Sequence, residues 1–512
     1  MLMKNLWLKQ ILIICTQNKY RFFLVLLFAF FAVIYSYGLF WLPPEYDEVL
    51  VSNAALNCPS NTFIEQVIWI KGQCVPIMLS SYIGGFMAVP YKLFFAAFGN
   101  SLLTFRVVTV LLTCASLVIV YLTTKEFLSK KVGLLTALLV AFDFQFFYNV
   151  RLERTMVVPF LFKSIFLFFT AKYLQQKKNQ YLWLTGLSMG LSIWTKFDAV
   201  FFYTALILGW IISHHKEIKV SKKNVKNVVL LGSGFLVGCV PLLYYLRYSL
   251  TRFLFIGKEV AGQSFLSVLG SKTDSLFFQF FSYDAVNYIT RVGVSYTGIE
   301  LVLALISFVA LIISIIFAYK QKKLRSLIFA VLIFCGFYLL YGGLKFSHHR
   351  TLIYPLPQAL LAYLVVHAKH RMKYVFLGVF LAIFVVSLSH FYTSIETEMV
   401  DVSFSGQIFE LQRYVSTLDG EVLIGDWGIT NQLILLSESS NNLVEVAFAA
   451  NTDSLSEFSS ELNTKLQSCK YLVLRKPTLA IFKNADHNLR TAVDGKLVYT
   501  DQVFEVYSCE SK

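Results

Sequence analysis

Long apolar runs that alternate with lysine-rich connections are the feature that most restricts how this chain can fold. About 20 apolar residues cross a bilayer core of roughly 30 Å as a helix. Hydrophobic residues make up 57% of the 512 residues and charged residues only 15%, which is typical of polytopic α-helical membrane proteins. We predict eleven spans, roughly at 22–42, 101–124, 132–150, 155–174, 181–197, 199–214, 227–247, 295–319, 326–344, 351–367 and 374–393.

Every second connection is rich in lysine and arginine, and the positive-inside rule assigns such loops to the cytoplasm. These connections lie at 125–131, 175–180, 214–226, 320–325 and 367–373. The N-terminus is then inside, and the C-terminus is outside. The outer face receives four connections, namely 43–100, 151–154, 248–294 and 345–350.

The first outer loop, 43–100, contains an apolar piece at 76–99 that prolines and glycines interrupt. We interpret this piece as helices that lie in the outer membrane interface, because a further span would move every later lysine-rich loop to the other side.

The composition changes beyond residue 395. Residues 401–512 hold 15 Asp/Glu and 9 Lys/Arg, whereas residues 1–400 hold 15 and 36. This asymmetry favours two compartments and gives no sign of a nucleic-acid partner. Short strands are expected at 421–426, 443–447, 471–474 and 498–506, with helices at 430–437, 455–467 and 477–491 between them. We therefore predict a transmembrane domain at 1–395 and a small extracytoplasmic α/β domain with a largely parallel sheet at 396–512.

The loop Asp426-Trp427-Gly428 follows the first of these strands. Ligands of α/β sheets bind at such strand ends, but Asp426 as an ordinary helix cap is the favoured interpretation.

The eight cysteines form two groups. Cys58 and Cys74 lie in the first outer loop, and Cys469 and Cys509 lie in the polar tail. Two pairs on the oxidising side would fit two disulfides. The other four lie in or beside apolar runs and are expected to be inert core residues, namely Cys15, Cys114, Cys239 and Cys335.

Carboxylates and cations from distant parts of the chain gather on the predicted outer face. They are Asp47 and Glu48 after the first span, Arg151 and Glu153 at the second outer turn, and His348, His349 and Arg350 at a late turn. A carboxylate can take the proton of an attacking hydroxyl or amine, and cations can stabilise a departing phosphate. The set therefore points to transfer of a group carried on a phosphate.

Several short motifs, in this order, resemble the GT-C superfamily of membrane glycosyltransferases over about residues 20–395. The resemblance is to the family 39 type, the branch with protein O-mannosyltransferases and bacterial aminoarabinose transferases of lipid A. The motifs are Tyr46-Asp47-Glu48, Gly72-x-x-x-Pro76, Ser81-Tyr82-x-Gly84-Gly85, Phe98-Gly99-Asn100-Ser101 leading to Arg106, Arg151-Leu152-Glu153, Trp194-Thr195-Lys196, His349-Arg350-Thr351 and Tyr354-Pro355-Leu356-Pro357.

The resemblance implies a polyprenyl-phosphate-linked hexose or pentose donor, an extracytoplasmic site and inversion in one displacement. It makes Asp47 the general base, Glu48 an aid in placing the acceptor, and Glu153 the second acidic residue. The doubled histidine leaves the phosphate ligand open. The phosphate-binding set is Arg350, His349, His348 and Arg151, with Lys71 and Lys196 as weaker candidates, and Tyr46, Tyr82 and Tyr354 are expected at the acceptor or in the cavity.

Other interpretations stay open at this stage. Arg151 and Arg154 could be interface anchors, and no cofactor motif is present, although the paired histidines could hold a divalent metal. The many spans also suit a transporter or flippase, or a non-catalytic envelope assembly factor. Polar residues crowd one rim and no repeat is visible, which favours an enzyme. The acceptor could be a protein, lipid A, teichoic acid or another glycan, and the polyprenyl donor and compact loops favour a bacterial inner membrane.

Two ionisable residues, Asp143 and Lys163, lie deeper, on consecutive spans that form a hairpin. Unpaired charges in lipid are costly, so we expect the two to pair or to face a common polar cavity.

Overall fold

The computed structural model describes residues 19–37, 39, 43–45, 48–56, 64–80, 82–151, 155–217, 221–255, 298–340, 349, 351–396, 405–437, 442–493 and 495–509. Up to residue 396 this part of the chain is mostly helical. Its elements are α1 (Lys19–Ser36), α2 (Leu50–Leu56), β1 (Gln66–Ile70), β2 (Gln73–Ser80), β3 (Ile83–Gly84), α3 (Ala88–Phe98), α4 (Leu102–Phe127), α5 (Lys130–Ala141), α6 (Phe144–Arg151), α7 (Val157–Gln176), α8 (Asn179–Thr195), α9 (Ala199–His214), α10 (Lys222–Phe255), α11 (Gly298–Tyr319), α12 (Lys322–Leu340), α13 (Leu356–His367) and α14 (His370–Glu396).

A helix, or the pair α5 and α6, lies at each predicted span. Among the described residues, five helices are long and apolar enough to cross a membrane by themselves, and the bent pair α5 and α6 would make a sixth. The five segments are Leu102–Phe127, Val157–Gln176, Lys222–Arg247, Lys322–Leu340 and Arg371–Ser389. The chain is therefore an integral, multi-pass membrane protein.

The break between α5 and α6 bends the chain by 62°. Asp143 lies at this break, and its Oδ1 accepts a hydrogen bond of 3.1 Å from the backbone N–H of Phe146. An aspartate in this position satisfies an otherwise unpaired donor of the first helical turn. The carboxylate therefore starts α6 as a separate helix with its own direction.

Helices α8 and α10 meet along glycines that are spaced four residues apart. A Cβ on Gly186 would lie 2.0 Å from the carbonyl oxygen of Leu231, and one on Gly234 would lie 2.2 Å from that of Trp183. Small residues at this spacing let two membrane helices approach backbone to backbone. The four glycines are Gly186 and Gly190 on α8 and Gly234 and Gly238 on α10.

We expect Gly234→Ala to destabilise the protein by about 1–3 kcal/mol, because its methyl group would overlap a backbone carbonyl. Gly232→Ala, two residues earlier on the same helix, is the matched control, since a Cβ there meets nothing within 4 Å. Thermal unfolding of the detergent-purified variants measures the difference. Equal midpoints for the two variants would contradict the close approach.

The first loop is only partly helical. We predicted interfacial helices at 76–99. This prediction is wrong for residues 76–80, which belong to β2, whereas α3 lies within the remaining residues. β1 and β2 form an antiparallel hairpin, whose backbone hydrogen bonds replace those of a helix. Lys71 and Gly72 make its turn, both with positive φ (51° and 75°), as a two-residue hairpin loop requires.

Residues 405–509, the C-terminal region, carry a five-stranded sheet in the order β5-β4-β6-β8-β7 with helices between strands. β5, β4 and β6 are parallel, whereas β8 runs antiparallel to β6 and β7, so the sheet is mixed. The elements are α15 (Gln407–Val415), β4 (Val422–Ile424), α16 (Ile429–Leu436), β5 (Leu443–Glu445), α17 (Ala447–Ala450), α18 (Ser460–Gln467), β6 (Tyr471–Arg475), α19 (Lys483–Ala492), β7 (Lys496–Thr500) and β8 (Phe504–Ser508).

The single strand predicted at 498–506 is wrong, because these residues form the β7–β8 hairpin. Oδ1 of Asp501 accepts the backbone N–H groups of Val503 and Phe504, both at 2.7 Å, and so makes the turn. Aspartate favours turns for this reason.

Six of the eight cysteines lie among the described residues. Cys469 and Cys509 form a disulfide, and Cys74 is disulfide-bonded. Cys114 and Cys239 are buried free thiols and Cys335 is half-buried. Cys58 and Cys15 lie outside the described residues.

Asp426 is not a helix cap, so that prediction is wrong. Its carboxylate forms a buried ion pair of 2.8 Å with Arg475 and accepts the backbone N–H groups of Ile481 and Phe482. Gly428, with φ of 80°, is the residue that precedes α16. Asp426 therefore joins the ends of β4 and β6 to the loop before α19.

Glu445 ends β5 next to this ion pair and is buried. Burial raises the pKa of its carboxyl group to about 8, and the charge of Asp426 acts in the same direction. The folded protein thus holds the proton more tightly than the unfolded chain. The contribution of protonated Glu445 to the free energy of unfolding is present in full at pH values below the ordinary carboxyl pKa. This contribution is lost as the pH rises to about 8.

We expect Glu445→Gln to remove this loss, because glutamine has no proton to release. Relative to the wild type, the variant should gain roughly 2–4 kcal/mol of stability between pH 5 and pH 8. Thermal unfolding midpoints at several pH values measure it. The exposed control Glu457→Gln should follow the wild type, and a Glu445→Gln curve parallel to the wild type would refute the raised pKa.

Candidate active site

The acidic segment, residues 43–56, follows α1 and is described at 43–45 and 48–56. Oε2 of Glu45 accepts the backbone N–H of Glu48 at 3.0 Å, and Oε2 of Glu48 accepts that of Glu45 at 3.1 Å. This reciprocal arrangement resembles the capping box that starts a helix. Both carboxylates are buried, and they fix the chain just before α2.

Glu48 is joined to α4 by a two-pronged ion pair with Arg106. Nε of Arg106 lies 2.7 Å from Oε1 of Glu48, and Nη2 lies 2.9 Å from Oε2. The guanidinium also donates to the carbonyl oxygens of Leu39 and Pro43, at 2.6 and 3.3 Å. The Glu48 side chain is 0% exposed and that of Arg106 2%. The Glu48 carboxylate therefore anchors the acidic segment to the bundle.

Arg106 belongs to one of the motifs quoted above, but its pairing with Glu48 was not predicted from the sequence. A signal was present, since Arg106 is a lone charge near the start of an apolar span. Such a charge needs a partner, and the carboxylates after the first span were the candidates nearest to that membrane surface.

Arg151 ends α6 in the same group of charges. Its Nη1 donates to the hydroxyl of Tyr392 on α14 at 3.2 Å, and its guanidinium lies 5.4 Å from the centroid of the Phe147 ring. The charges of Arg106 and Glu48 act on it. Arg151 is only 4% exposed, whereas an interface anchor would extend its head group to water.

A second group of polar side chains lies around the end of α8. Nζ of Lys196 donates to Oγ1 of Thr155 at 2.8 Å, and Nε2 of His349 lies 3.4 Å from Oδ2 of Asp198. Lys196, Thr155 and His349 are buried. A lysine and a histidine thus lie close to one carboxylate, in a setting that excludes most water.

The motif Trp194-Thr195-Lys196 binds the first loop along its backbone. Nε1 of Trp194 donates to the carbonyl oxygen of Ile77 at 3.0 Å, and the N–H of Phe197 donates to that of Tyr82 at 2.9 Å. A Cβ on Gly84 would lie 2.0 Å from the carbonyl oxygen of Trp194. Glycine is required here because the loop backbone lies directly on the end of α8.

The two groups border one apolar core. Val49 and Leu50 of the acidic segment belong to the same buried cluster as Ile83, whose backbone pairs with Lys196, and Val158, which follows Thr155 by three residues. Three residues separate Arg151 in the first group from Thr155 in the second, so their Cα atoms are at most about 14 Å apart. We therefore treat the two groups as one candidate site.

Asp143 and Lys163 do not form the direct ion pair that we expected as one of two arrangements. Nζ of Lys163 donates to the carbonyl oxygens of Thr351 and Leu352, at 2.9 and 2.7 Å, and the hydroxyl of Tyr354 donates to Oδ2 of Asp143 at 2.7 Å. Both charges are thus satisfied by one turn, 351–354, which begins two residues after His349.

An apolar cleft opens beside this turn between α5, α11, α13 and α14. Its polar groups are Asp143, Tyr354 and Gln358, and the remaining lining is aliphatic and aromatic. Nε2 of Gln358 lies 3.4 Å from the same Asp143 oxygen that binds Tyr354. The cleft thus joins an apolar wall to a small polar end, as a lipid-linked ligand would require.

The structure leaves some predicted site residues apart from these groups. Lys71 is exposed at the tip of the β1–β2 hairpin, and Tyr82 joins the second group through its backbone, with a partly exposed ring. Tyr46, Asp47, Glu153, Arg154, His348 and Arg350 lie outside the described residues. Among the described residues, no three His, Cys, Asp or Glu side chains lie together as metal ligands would.

Breaking the Glu48–Arg106 pair should be more harmful than removing it. We expect Glu48→Leu and Arg106→Met each to cost about 3–5 kcal/mol, because each leaves a buried charge without its partner. The double variant should lose less than the sum of the two. Thermal unfolding of the four proteins measures the coupling, and strictly additive losses would show that the two side chains do not depend on each other.

Comparisons with known proteins agree with this architecture. Residues 86–245, less than half of the chain, match the family model described as dolichyl-phosphate-mannose-protein mannosyltransferase. The structure is similar to ArnT from Cupriavidus metallidurans bound to undecaprenyl phosphate, with 12% identity and a TM-score of 0.56 over 96% of this chain and 98% of ArnT.

Two further solved structures share the fold. An Archaeoglobus fulgidus oligosaccharyltransferase tethered to an acceptor peptide has 14% identity and a TM-score of 0.50, over 97% of this chain and 75% of the other. A mycobacterial arabinofuranosyltransferase, AftD, has 14% identity and a TM-score of 0.51, over 96% and 40%. No curated protein sequence matches significantly. The chain thus shares the fold of these membrane glycosyltransferases, which are of the GT-C type, and its residues 86–245 are similar to the mannosyltransferase family.

Proposed function

We propose that this protein transfers a sugar from a polyprenyl-phosphate-linked donor to an acceptor on the extracytoplasmic side. The matched family is described by a dolichyl-phosphate-mannose donor, and the similar ArnT structure holds undecaprenyl phosphate. The observation that carries the proposal is the single core that the acidic segment and the Lys196 group share. It brings carboxylates and cations from distant parts of the chain to one site.

Asp47, which directly precedes Glu48, is the proposed general base. It takes the proton of the acceptor hydroxyl or amine as the acceptor oxygen or nitrogen bonds to the anomeric carbon. The bond from that carbon to the phosphate oxygen breaks in the same step, so the configuration inverts. Because Arg106 and the backbone N–H of Glu45 already donate to the Glu48 carboxylate, Glu48 holds the segment. Glu153 remains the proposed second acid.

The cations of the two groups stabilise the departing polyprenyl phosphate. Lys196 is buried against Thr155 and His349 against Asp198, and Arg350 and His348 flank His349 in the sequence. Arg151 contributes from the first group. Charge-assisted hydrogen bonds in a setting with little water strengthen as negative charge builds on the leaving oxygen.

The cleft beside the turn 351–354 suits the lipid part of the donor. Its aliphatic and aromatic lining can take an isoprenoid chain, and Tyr354 at its polar end binds Asp143. Tyr354 of this turn lines the cleft, and His349 precedes the turn by two residues, so the cleft adjoins the proposed phosphate-binding residues. This order matches a donor with a tail, a phosphate and a sugar.

The proposed topology has eleven crossings, with α5 and α6 counted as one and the N-terminus in the cytoplasm. The short helices then cross as parts of the bundle, and residues 396–512 form a separate extracytoplasmic domain. The lysine-rich connections support this orientation, and the polyprenyl donor favours a bacterial inner membrane.

Asp47→Asn should lower sugar transfer by at least about a hundredfold, because asparagine cannot accept the proton. The assay offers purified polyprenyl-phosphate sugars, one at a time, to membranes that contain the protein and follows which donor is consumed. Asp453→Asn, at an exposed residue of the C-terminal region, is the matched control. Both variants should reach the membrane in wild-type amounts.

Two results would overturn the proposal at different levels. Full activity of Asp47→Asn would reject Asp47 as the base while leaving the transferase intact. If the wild-type protein consumed no polyprenyl-phosphate sugar, the proposed reaction itself would be rejected.

A further inference from the structure

Helix α16 of the C-terminal region packs directly on the acidic segment. Nε2 of Gln432 donates to the carbonyl oxygen of Pro44 at 2.6 Å, and Nδ2 of Asn53 donates to Oδ1 of Asn431 at 2.6 Å. Asn53 and Asn431 are fully buried and Gln432 is 2% exposed. These bonds join parts of the chain almost 400 residues apart.

The contacts lie on both sides of Tyr46-Asp47 in the sequence. Gln432 binds Pro44 before this dipeptide, and Asn431 binds Asn53 after it. Between them, Leu435 enters the apolar core that contains Val49 and Leu50. Residues 431, 432 and 435 share one face of α16 by their spacing, so one helix surface makes all three contacts.

The helix that makes these contacts is itself firmly held. Ile429 and Leu433 of α16 are fully buried in the core of the C-terminal region, against Ile424 of β4 and Val473 of β6. The segment is thus fixed to the bundle through Glu48 and Arg106 and to the mixed sheet through α16. A helix seated on a sheet is a more precise support than a loop.

We infer that Asn431 and Gln432 are positioning residues for the acidic segment, so that these two side chains of the C-terminal region act on the reaction through the segment and not by touching substrate. This inference rests on the proposed function, because the segment being positioned carries the proposed base. It assigns the C-terminal region a part in the rate of the reaction, in addition to any part in acceptor recognition.

Gln432→Glu is the direct test, because a carboxylate cannot donate the hydrogen bond to Pro44. We expect kcat for sugar transfer to fall about tenfold, which corresponds to the loss of one such bond. KM for the donor should stay within about twofold, since Lys196 and His349 lie on other segments. Gln467→Glu, at an exposed position on α18, is the control and should leave both constants unchanged.

A second pair of variants tests the direction of the Asn53–Asn431 bond and replaces Gln432→Glu if that protein fails to accumulate. Asn53→Asp removes the donor and should lower kcat in the same way. Asn431→Asp keeps the acceptor oxygen and should retain most of the activity. A purely structural role would lower the amount of folded protein and leave kcat per folded molecule unchanged.

Hydrogen exchange of the amides of α2 gives a readout that is independent of activity. Exchange should rise in Gln432→Glu and Asn53→Asp and stay at the wild-type rate in Gln467→Glu. Unchanged exchange and unchanged kcat in the first two variants would overturn the inference while the transferase stands. Raised exchange with no sugar transfer by the wild type would instead reject the proposed function.

Discussion

The buried ion pair between Glu48 and Arg106 is the interaction on which the rest of the candidate site depends. It binds the chain that leaves α1 to the start of α4 through two charge-assisted hydrogen bonds and two carbonyl contacts. Removing both charges from water is costly, and the good geometry offsets that cost. The result is a fixed exit for the acidic segment, which would otherwise be an ordinary loop at a helix end.

Buried charges elsewhere in the protein hold backbone in the same way. Lys163 binds two carbonyl oxygens of the turn after His349, and Asp426 binds Arg475 together with two backbone N–H groups of the loop before α19. In each case a charged side chain forms hydrogen bonds with main-chain groups, whose partial charges stabilise it. Both loops thus obtain the rigidity of the helices and strands around them.

The sequence was sufficient to predict a mostly helical membrane protein, because apolar length depends only on composition along the chain. It was not sufficient for the pairing of charges. Arg106 and Glu48 are 58 residues apart, and only the folded bundle shows that they meet. The prediction of a helix at 76–80 was wrong because an apolar stretch with proline does not distinguish a strand from an interfacial helix. The glycine contacts between α8 and α10 were not predicted because the spacing of glycines does not identify the partner helix.

The bonds of Lys163 to the turn 351–354 use main-chain oxygens alone, at Thr351 and Leu352. Every amino acid supplies such an oxygen, so a substitution at either position would leave both acceptors of Lys163 in place. Descendants of this protein can therefore alter the chemistry beside His349 while the loop keeps its course. Evolution, or a designer, has at this turn a place where side chains can vary while the main-chain bonds that fix the turn persist.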